Sequence, residues 1–192
     1  MEVKAVMSAV LKFMYWSEQE INWNRADYFK VMFNSGGYVL VVDLTFIGFD
    51  INVKFIRVFI DNGSSIDILY RDTMFKFGIT DNMFEFSRII FYGIVPGVFC
   101  FSVDVLFGIR ENCRIENLVF EVVDFNSLYY ALFGRSVFVK FMVIIYICYF
   151  KMKMPGLNGI IIITGNYERL MECAAVGSVL VELLVIAGKK KL

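Results

Sequence analysis

The sequence contains no histidine, and this absence excludes more chemistry than any other feature of its composition. Serine and cysteine nucleophiles usually depend on a histidine base, and many zinc sites use histidine ligands. Imidazole acid–base catalysis is excluded for the same reason. Proton transfer in this chain must therefore be carried out by carboxylates, lysines or tyrosines.

Cysteine is scarce, and its four positions are far apart: Cys100, Cys113, Cys148 and Cys173. Without a Cys-x-x-Cys spacing, a metal site or a disulfide framework has little support, and free thiols in a reducing compartment are favoured. The glycine-rich motifs that bind nucleotides are also missing. We therefore expect no metal, no cofactor and a cytoplasmic location.

Clustered positive charge is lacking as well. The 19 basic and 19 acidic residues cancel, and no basic block precedes Lys189–Lys191. Binding to phosphates requires a concentrated positive surface, so nucleic acid is a poor candidate partner. Long apolar runs are equally rare: the uncharged run Phe141–Phe150, apolar throughout, covers ten residues, whereas a membrane-spanning helix needs about 20. We expect neither a nucleic-acid partner nor a membrane.

Aromatic and β-branched residues dominate the 58% of the chain that is hydrophobic, which favours strands over helices. The length of 192 residues allows one domain with a substantial core and short extensions. The turn-rich segment Asn34–Gly37 marks a change in texture. We predict an N-terminal extension at 1–35, one domain at 36–174 and a C-terminal tail at 175–192.

The predicted domain is all-β, with one or two short helices. A hairpin is predicted from Tyr38–Phe46 and Val53–Ile60, and a second from the turn Pro155–Gly159 leading into Ile160–Thr164. Further strands are predicted at Ile89–Tyr92, Val98–Phe107, Asn117–Val123, Leu128–Phe133 and Val137–Phe150.

A helix is predicted directly after Asp61. Apolar residues recur there at three- and four-residue spacing from Ile66 to Phe77, and Gly78 follows as a stop signal. Asp67 and Asp72 are expected on the solvated side of this helix.

The stretch Val58–Tyr70 carries the best candidate for chemistry. An apolar strand leads to Asp61, and a turn of small polar residues follows immediately. Asp-Asn-Gly is also a common β-hairpin turn, so the motif alone leaves that interpretation open.

A single aspartate is a poor catalyst, whereas two facing carboxylates are effective. At a separation of about 3 Å and an effective dielectric constant near 20, two unit charges repel by roughly 5 kcal/mol, so the pair shares one proton. This is the dyad of the aspartic proteases. Because the chain offers one such turn, the second carboxylate must come from a second copy, and the hypothesis requires a homodimer with its site on the two-fold axis.

Several segments in order resemble the retropepsin-type aspartic protease of plant gypsy-type long-terminal-repeat retrotransposon polyproteins. Asp61–Tyr70 differs chiefly at Ile66 from that family's Asp-Ser/Thr/Asn-Gly-Ser-Ser-Ala-Asp-Ile-Leu-Tyr, and Tyr129–Ser136 resembles its Tyr-Asn-Ala-Ile-Leu-Gly-Arg-Pro. Shorter matches lie at Trp16–Glu20, Phe120–Asp124, Lys151–Pro155, Asn158–Gly159, Gly165 and Glu172–Cys173. The resemblance covers roughly residues 16–174.

The resemblance implies a closed acid-protease β-barrel that cleaves peptide bonds of its own polyprotein as a homodimer. Asp61 would be the catalytic carboxylate, activating a water molecule together with its dimer mate. Gly63 would donate its N–H to this carboxylate, Ser64 would bond its outer oxygen, and Asn62 would contact the partner's turn. Behind the loop would lie Leu132, Phe133, Gly134 and Arg135, with Arg135 beginning a short following element.

Three departures from the family pattern favour an alternative. Asn62 stands where serine or threonine is usual, and Ser136 replaces a proline. The flap that closes over substrate would be formed by Gly93, Ile94, Val95, Pro96 and Gly97, about four residues fewer than in the family. The alternative is an inactive retrotransposon-derived remnant of the same fold that serves as a dimerising or binding module.

Overall fold

The computed structural model describes residues 20–28, 39–48, 51–76, 78–87, 99–109, 111–124 and 126–177. The strands are β1 (Leu40–Gly48), β2 (Ile51–Ile60), β3 (Ile68–Tyr70), β4 (Glu85–Phe86), β5 (Phe99–Ile109), β6 (Asn112–Val123), β7 (Ala131–Phe133), β8 (Ile144–Tyr146), β9 (Lys151–Gly156) and β10 (Gly159–Thr164). The helices are α1 (Arg71–Lys76), α2 (Arg135–Phe141) and α3 (residues 167–177), with 3-10 turns at Arg25–Asp27, Asp81–Met83 and Ile147–Tyr149.

Six strands form a closed β-barrel. Their order is β1-β2-β7-β3-β6-β5, and pairing of β1 with β5 closes the ring, while β4 adds to β5. Large aromatic side chains fill the interior, and the strands of the barrel contribute the fully buried Phe55, Phe107, Phe120 and Phe133. The predicted all-β fold, a closed barrel with a few short helices, is confirmed.

The position of β7 in the sheet determines where the segment around Asp61 lies. β7 lies between β2 and β3, parallel to β2 and antiparallel to β3. Ile60 is opposite Phe133, and Ile68 is opposite Leu132. The segment between β2 and β3 therefore does not join two neighbouring strands, and its Asp-Asn-Gly sequence is not a hairpin turn.

The two predicted hairpins are confirmed. β1 pairs antiparallel with β2, and β9 pairs antiparallel with β10. The predicted strand at Asn117–Val123 is present but begins earlier, at Asn112, and the one at Leu128–Phe133 begins later, at Ala131. The predicted strand Ile89–Tyr92 lies outside the described residues.

The predicted strand Val137–Phe150 is wrong, because this segment begins within α2 and continues through the short β8 into a 3-10 turn. Val137 and Phe141 are four residues apart and both buried, so a helix places them on one face against the barrel. That burial overrides the strand preference of the β-branched and aromatic residues. Met142, in the left-handed conformation, follows the helix.

The helix predicted from Ile66 begins too early. Residues 68–70 form β3, which pairs parallel with β6, and the helix starts only at Arg71. All three residues of β3 are buried, as is usual for a short strand covered on both faces. The spacing of the apolar residues after Ile66 does not by itself distinguish a short buried strand from a helix.

A second sheet, β10-β9-β8, carries residues 22–28, which we term the N-terminal strap. Lys153 of β9 is 5% exposed, and its Nζ donates to the Asn22 carbonyl at 2.6 Å and to Asp27 at 2.8 Å. The same Nζ lies 4.4 Å from the centre of the Trp23 ring. Part of the predicted extension therefore packs on the second sheet. The boundaries at 35 and 174 stay predictions.

Candidate functional site

Residues 61–67, here called the acid loop, connect β2 to β3. Asp61 follows the last residue of β2, and its backbone N–H donates to the Phe133 carbonyl at 2.9 Å. The bond continues the parallel pairing of β2 with β7 by one residue. Side chains alternate along a strand, so Asp61 points away from the buried Ile60, and it is partly exposed.

Gly63 brings the backbone close to this carboxylate. Its N–H donates to Oδ1 of Asp61 at 2.9 Å. A Cβ at this position would lie 3.1 Å from the same oxygen, closer than most Cβ contacts in proteins. The glycine thus permits the close approach that the family resemblance implied.

Ser64 makes different bonds from those expected. Its hydroxyl donates to the Ile66 carbonyl at 2.8 Å and accepts from the Ile66 N–H at 3.2 Å. The single hydroxyl proton is used within the loop, in a turn typical of serine, and is not directed at Asp61. Asn62 is exposed at the tip of the loop.

The segment Leu132–Arg135 lies directly behind the acid loop. The Arg135 N–H donates to the Ser64 carbonyl at 2.9 Å, and Arg135 begins α2. A Cβ on Gly134 would lie 2.3 Å from the Ile66 carbonyl oxygen. The two backbones are therefore in contact at a distance that only glycine allows. The catalytic roles of these residues stay predictions.

Asp67 is the residue that the sequence reasoning missed. It is 4% exposed, accepts a hydrogen bond from the Gly134 N–H at 2.7 Å, and accepts a second from the Ser136 hydroxyl. Burial raises the pKa of Asp67, and the hydrogen bonds from Ser136 and Gly134 oppose that rise. The expectation that Asp67 is solvated is wrong.

One feature of the sequence indicates that Asp67 is buried and paired. A carboxylate placed between two isoleucines that lead into a buried strand is unusual unless it is paired. Ser136, which first counted as a departure from the family pattern, supplies one of the two donors.

An apolar surface lies on the same side of the barrel as Asp61. Ile68, Tyr70 and Val123 form a small cluster outside the main core, and Ile66, Tyr129 and Leu132 pack against it. Tyr129 also stacks on Phe59, with ring centres 5.0 Å apart. Phe59 and Asp61 are two residues apart and share a face of β2. Ile66, Tyr129 and Leu132 are partly exposed, so an extended peptide at Asp61 would find apolar contacts on them.

The predicted flap, Gly93–Gly97, lies outside the described residues. Within the part of the chain that is described, no three or more cysteine, aspartate or glutamate side chains are arranged to hold a metal ion. None of the helices in that part is both long and apolar enough to cross a membrane.

The chain is similar to a solved structure, the retroviral protease-like domain of Ddi1 from Leishmania major. The TM-score is 0.47 at 15% sequence identity, over 67% of this chain and 96% of that domain. No family model and no curated protein matches the sequence. The roles of individual residues therefore depend on the geometry of this chain.

Proposed function

We propose that this chain is an aspartic endopeptidase that acts as a homodimer, with one Asp61 from each copy. The observation that supports this most is the setting of Asp61. Its carboxylate stands at the end of a barrel strand, partly exposed, with Oδ1 bonded by the Gly63 N–H at 2.9 Å. A carboxylate fixed by backbone groups can face a second one at constant geometry.

In the dimer, one carboxylate of the pair takes a proton from water as the water oxygen bonds to the peptide carbonyl carbon, while the other, protonated, donates its proton to the carbonyl oxygen. The tetrahedral intermediate then collapses: the C–N bond breaks, the amine nitrogen takes a proton from the first carboxylate, and the second carboxylate recovers its own. Mutual repulsion keeps one proton on the pair, so activity should be highest on the acid side of neutrality. The partly exposed apolar residues Ile66, Tyr129 and Leu132 would contact side chains of the peptide. We propose further that the natural substrate is the polyprotein of a plant gypsy-type retrotransposon.

The test is cleavage of a fluorogenic peptide library by the purified chain, across acid and neutral pH. Asp61→Asn should abolish cleavage, because a neutral amide cannot take the proton from water. Asp72→Asn, which changes an exposed aspartate of α1, is the matched control and should cleave normally. Turnover by the Asp61→Asn chain would refute the role of Asp61.

Mixing the wild-type chain with the Asp61→Asn chain tests whether two copies share one active site. When wild-type and Asp61→Asn chains exchange subunits in equal amounts, about one quarter of the dimers keep two aspartates. Activity should then fall to about half of that measured before exchange. Unchanged activity, or a monomeric molar mass by light scattering under assay conditions, would contradict the shared site.

The second candidate is the inactive dimerising or binding module. Asn62, Ser136 and the short segment Gly93–Gly97 favour it, since each departs from the family pattern. This candidate predicts a dimer in solution together with no cleavage by wild-type chain at any pH, whereas the endopeptidase predicts both the dimer and cleavage.

A further inference from the structure

A cavity of about 200 Å³ lies beside residues Ser65–Asp67 of the acid loop. Three elements line it: the loop residues Ser65–Asp67, residues 118–121 of β6, and the face of α2 that carries Ser136 and Lys140. It is therefore built from the far end of the loop that holds Asp61.

The walls of this cavity are of two kinds. Ile66, Leu118 and Val119 supply apolar surface. The polar side chains that line it carry oxygen, apart from the Lys140 ammonium, and they include the carboxylates of Asp67 and Glu121. Both carboxylate oxygens of Asp67 are engaged: Oδ1 accepts from the Gly134 N–H, and Oδ2 accepts from the Ser136 hydroxyl. Glu121 is the carboxylate with capacity left.

Glu121 is 4% exposed, and Ser87 donates a hydrogen bond to its carboxylate. The second oxygen, Oε2, is buried and has no hydrogen-bond partner among the residues that the structure describes. Buried polar atoms nearly always have a partner, so a carboxylate with one unpartnered oxygen beside a cavity keeps the capacity to accept a hydrogen bond from a donor that enters the cavity.

The residues that line the cavity indicate which kind of hydrogen-bond donor would fit there. A long basic side chain buries its methylene stem against apolar surface and keeps its charged end on polar groups. Apolar walls with a carboxylate match this division. A guanidinium or ammonium group also supplies several N–H donors and bonds carboxylates more strongly than a neutral donor does.

We propose that this cavity binds the side chain of an arginine or lysine of a polypeptide held at the acid loop. Glu121 receives the charged end, and Ile66 and Val119 contact the stem. The inference rests on the proposed function only for the source of the polypeptide, the substrate; the binding itself does not depend on cleavage.

Lys140 opposes this ligand. Its Nζ donates to the Asn117 carbonyl, and its side chain lines the same cavity. Two like charges in one small cavity repel, so binding of a cation is weaker with Lys140 present. Removing this charge should therefore increase affinity, which a purely structural role for Glu121 does not predict.

Binding is measured by titrating the isotope-labelled Asp61→Asn chain with Nα-acetyl-arginine amide and following backbone amide shifts. Nα-acetyl-citrulline amide, a neutral analogue of nearly equal shape, is the reference ligand. We expect saturable shifts at Ser65–Asp67 and Val119–Glu121 for the arginine ligand, with an affinity at least about tenfold higher than for citrulline. Equal affinities would overturn the proposal.

Three variants sharpen the measurement. Glu121→Gln should lose the preference for arginine over citrulline, and Lys140→Met should bind arginine severalfold more tightly. Glu111→Gln, an exposed glutamate in the β5–β6 turn, removes the same charge elsewhere and should bind as the parent chain does. A preference for arginine that survives in Glu121→Gln would overturn the assignment.

The pH dependence gives an independent check. Burial raises the pKa of Glu121, and the hydrogen bond from Ser87 opposes that rise. The charged groups that line the cavity with it are Asp67 and Lys140, and Cys100 lies opposite Glu121 in β5. Because the ionised carboxylate binds the cation, affinity should increase as pH rises through the raised pKa of Glu121.

The source of the side chain is tested by cleavage. Peptides that carry arginine at successive positions around the cleaved bond should be cut faster than their citrulline counterparts at one position, and Glu121→Gln should remove that difference. If wild-type chain cleaves nothing while arginine still binds, the endopeptidase fails and the binding site stands. If cleavage occurs without any preference for arginine, the binding site fails alone.

Discussion

The molecule fixes two segments to its sheets by different means. The acid loop is held by backbone bonds to Phe133, Arg135 and Glu121. The buried carboxylate of Asp67 adds hydrogen bonds from the Gly134 N–H and the Ser136 hydroxyl. The N-terminal strap is held by Lys153, which binds Asp27 and lies against the Trp23 ring. Short backbone bonds define atomic positions closely, whereas an ion pair under an aromatic ring holds a segment in place with less geometric constraint.

The two carboxylates differ in the same way. Burial raises the pKa of Asp67, whereas the hydrogen bond from Lys153 lowers the pKa of Asp27. The acid loop is thus held by Asp67, a carboxyl group whose ionisation is disfavoured by burial. The N-terminal strap is held by Asp27, an ionised carboxylate that is paired with Lys153. We therefore expect substitutions at Gly134 and Asp67 to affect the acid loop, and acidification to affect the N-terminal strap first.

The largest effect is expected from Gly134→Ala. The added methyl group would lie 2.3 Å from the Ile66 carbonyl oxygen, so the acid loop must move away from α2. A displacement of about 1 Å at a reacting group can reduce the rate on the order of 100-fold, and the strain should cost about 2 kcal/mol of unfolding free energy. Peptide cleavage and denaturant unfolding measure the two effects.

Gly177→Ala is the matched control for that change. A methyl group there would meet Leu128 at 3.9 Å, an ordinary contact in α3. Its stability and activity should stay close to those of the wild type. A Gly134→Ala chain that behaved like this control would show that the contact between loop and α2 is not needed.

A smaller effect is expected from Asp67→Ala. This change leaves the Gly134 N–H and the Ser136 hydroxyl without their acceptor, at a cost of about 2 kcal/mol. Asp67→Asn keeps an acceptor for one donor and should cost clearly less. Urea unfolding at neutral pH measures both, and equal costs for the two variants would contradict the bracing role of this carboxylate.

The smallest effect is local and depends on pH. The pKa of Asp27 is lowered in the folded chain, so its contribution is present above about pH 4, the ordinary aspartate value, and is lost as pH falls through the lowered pKa. Asp67 has a raised pKa, so its contribution is complete below about pH 4 and declines as pH rises. Acidification should therefore release the strap before the acid loop.

Amide hydrogen exchange at residues 22–28 and 61–67, measured between neutral pH and pH 3, separates the two segments. Fluorescence of Trp23 in a Trp16→Phe chain reports the strap independently, because these are the two tryptophans of the sequence. Asp27→Asn should remove the transition. Loss of loop protection at a higher pH than strap protection would reverse the comparison.

Local patterns were sufficient for part of the fold. The hairpins β1–β2 and β9–β10 join neighbouring strands through short turns, and both were predicted from turn residues and alternation. α2 was not predicted, because its helical form depends on burying Val137 and Phe141 together against the barrel. A sequence window does not contain the surface against which a helix packs.

The candidate site likewise contains contacts that a local motif predicts and contacts that it does not. Asp61 and Gly63 are two residues apart, and their hydrogen bond follows from a local motif. Asp67 and its donors Gly134 and Ser136 are 67 and 69 residues apart in sequence. Their contact exists only because β7 enters between β2 and β3, and no periodicity in either segment specifies that insertion.

The insertion of β7 also sets a sequence of events during synthesis. One backbone bond joins Asp67 to Glu121, but those that fix Asp61 and Ser64 use Phe133 and Arg135, about seventy positions after Asp61. While the ribosome is still producing the intervening strands, the aspartate belongs to an untethered segment. A nascent chain therefore cannot present an ordered acid turn until its last barrel strand has emerged, which delays any proteolytic competence until the barrel is complete.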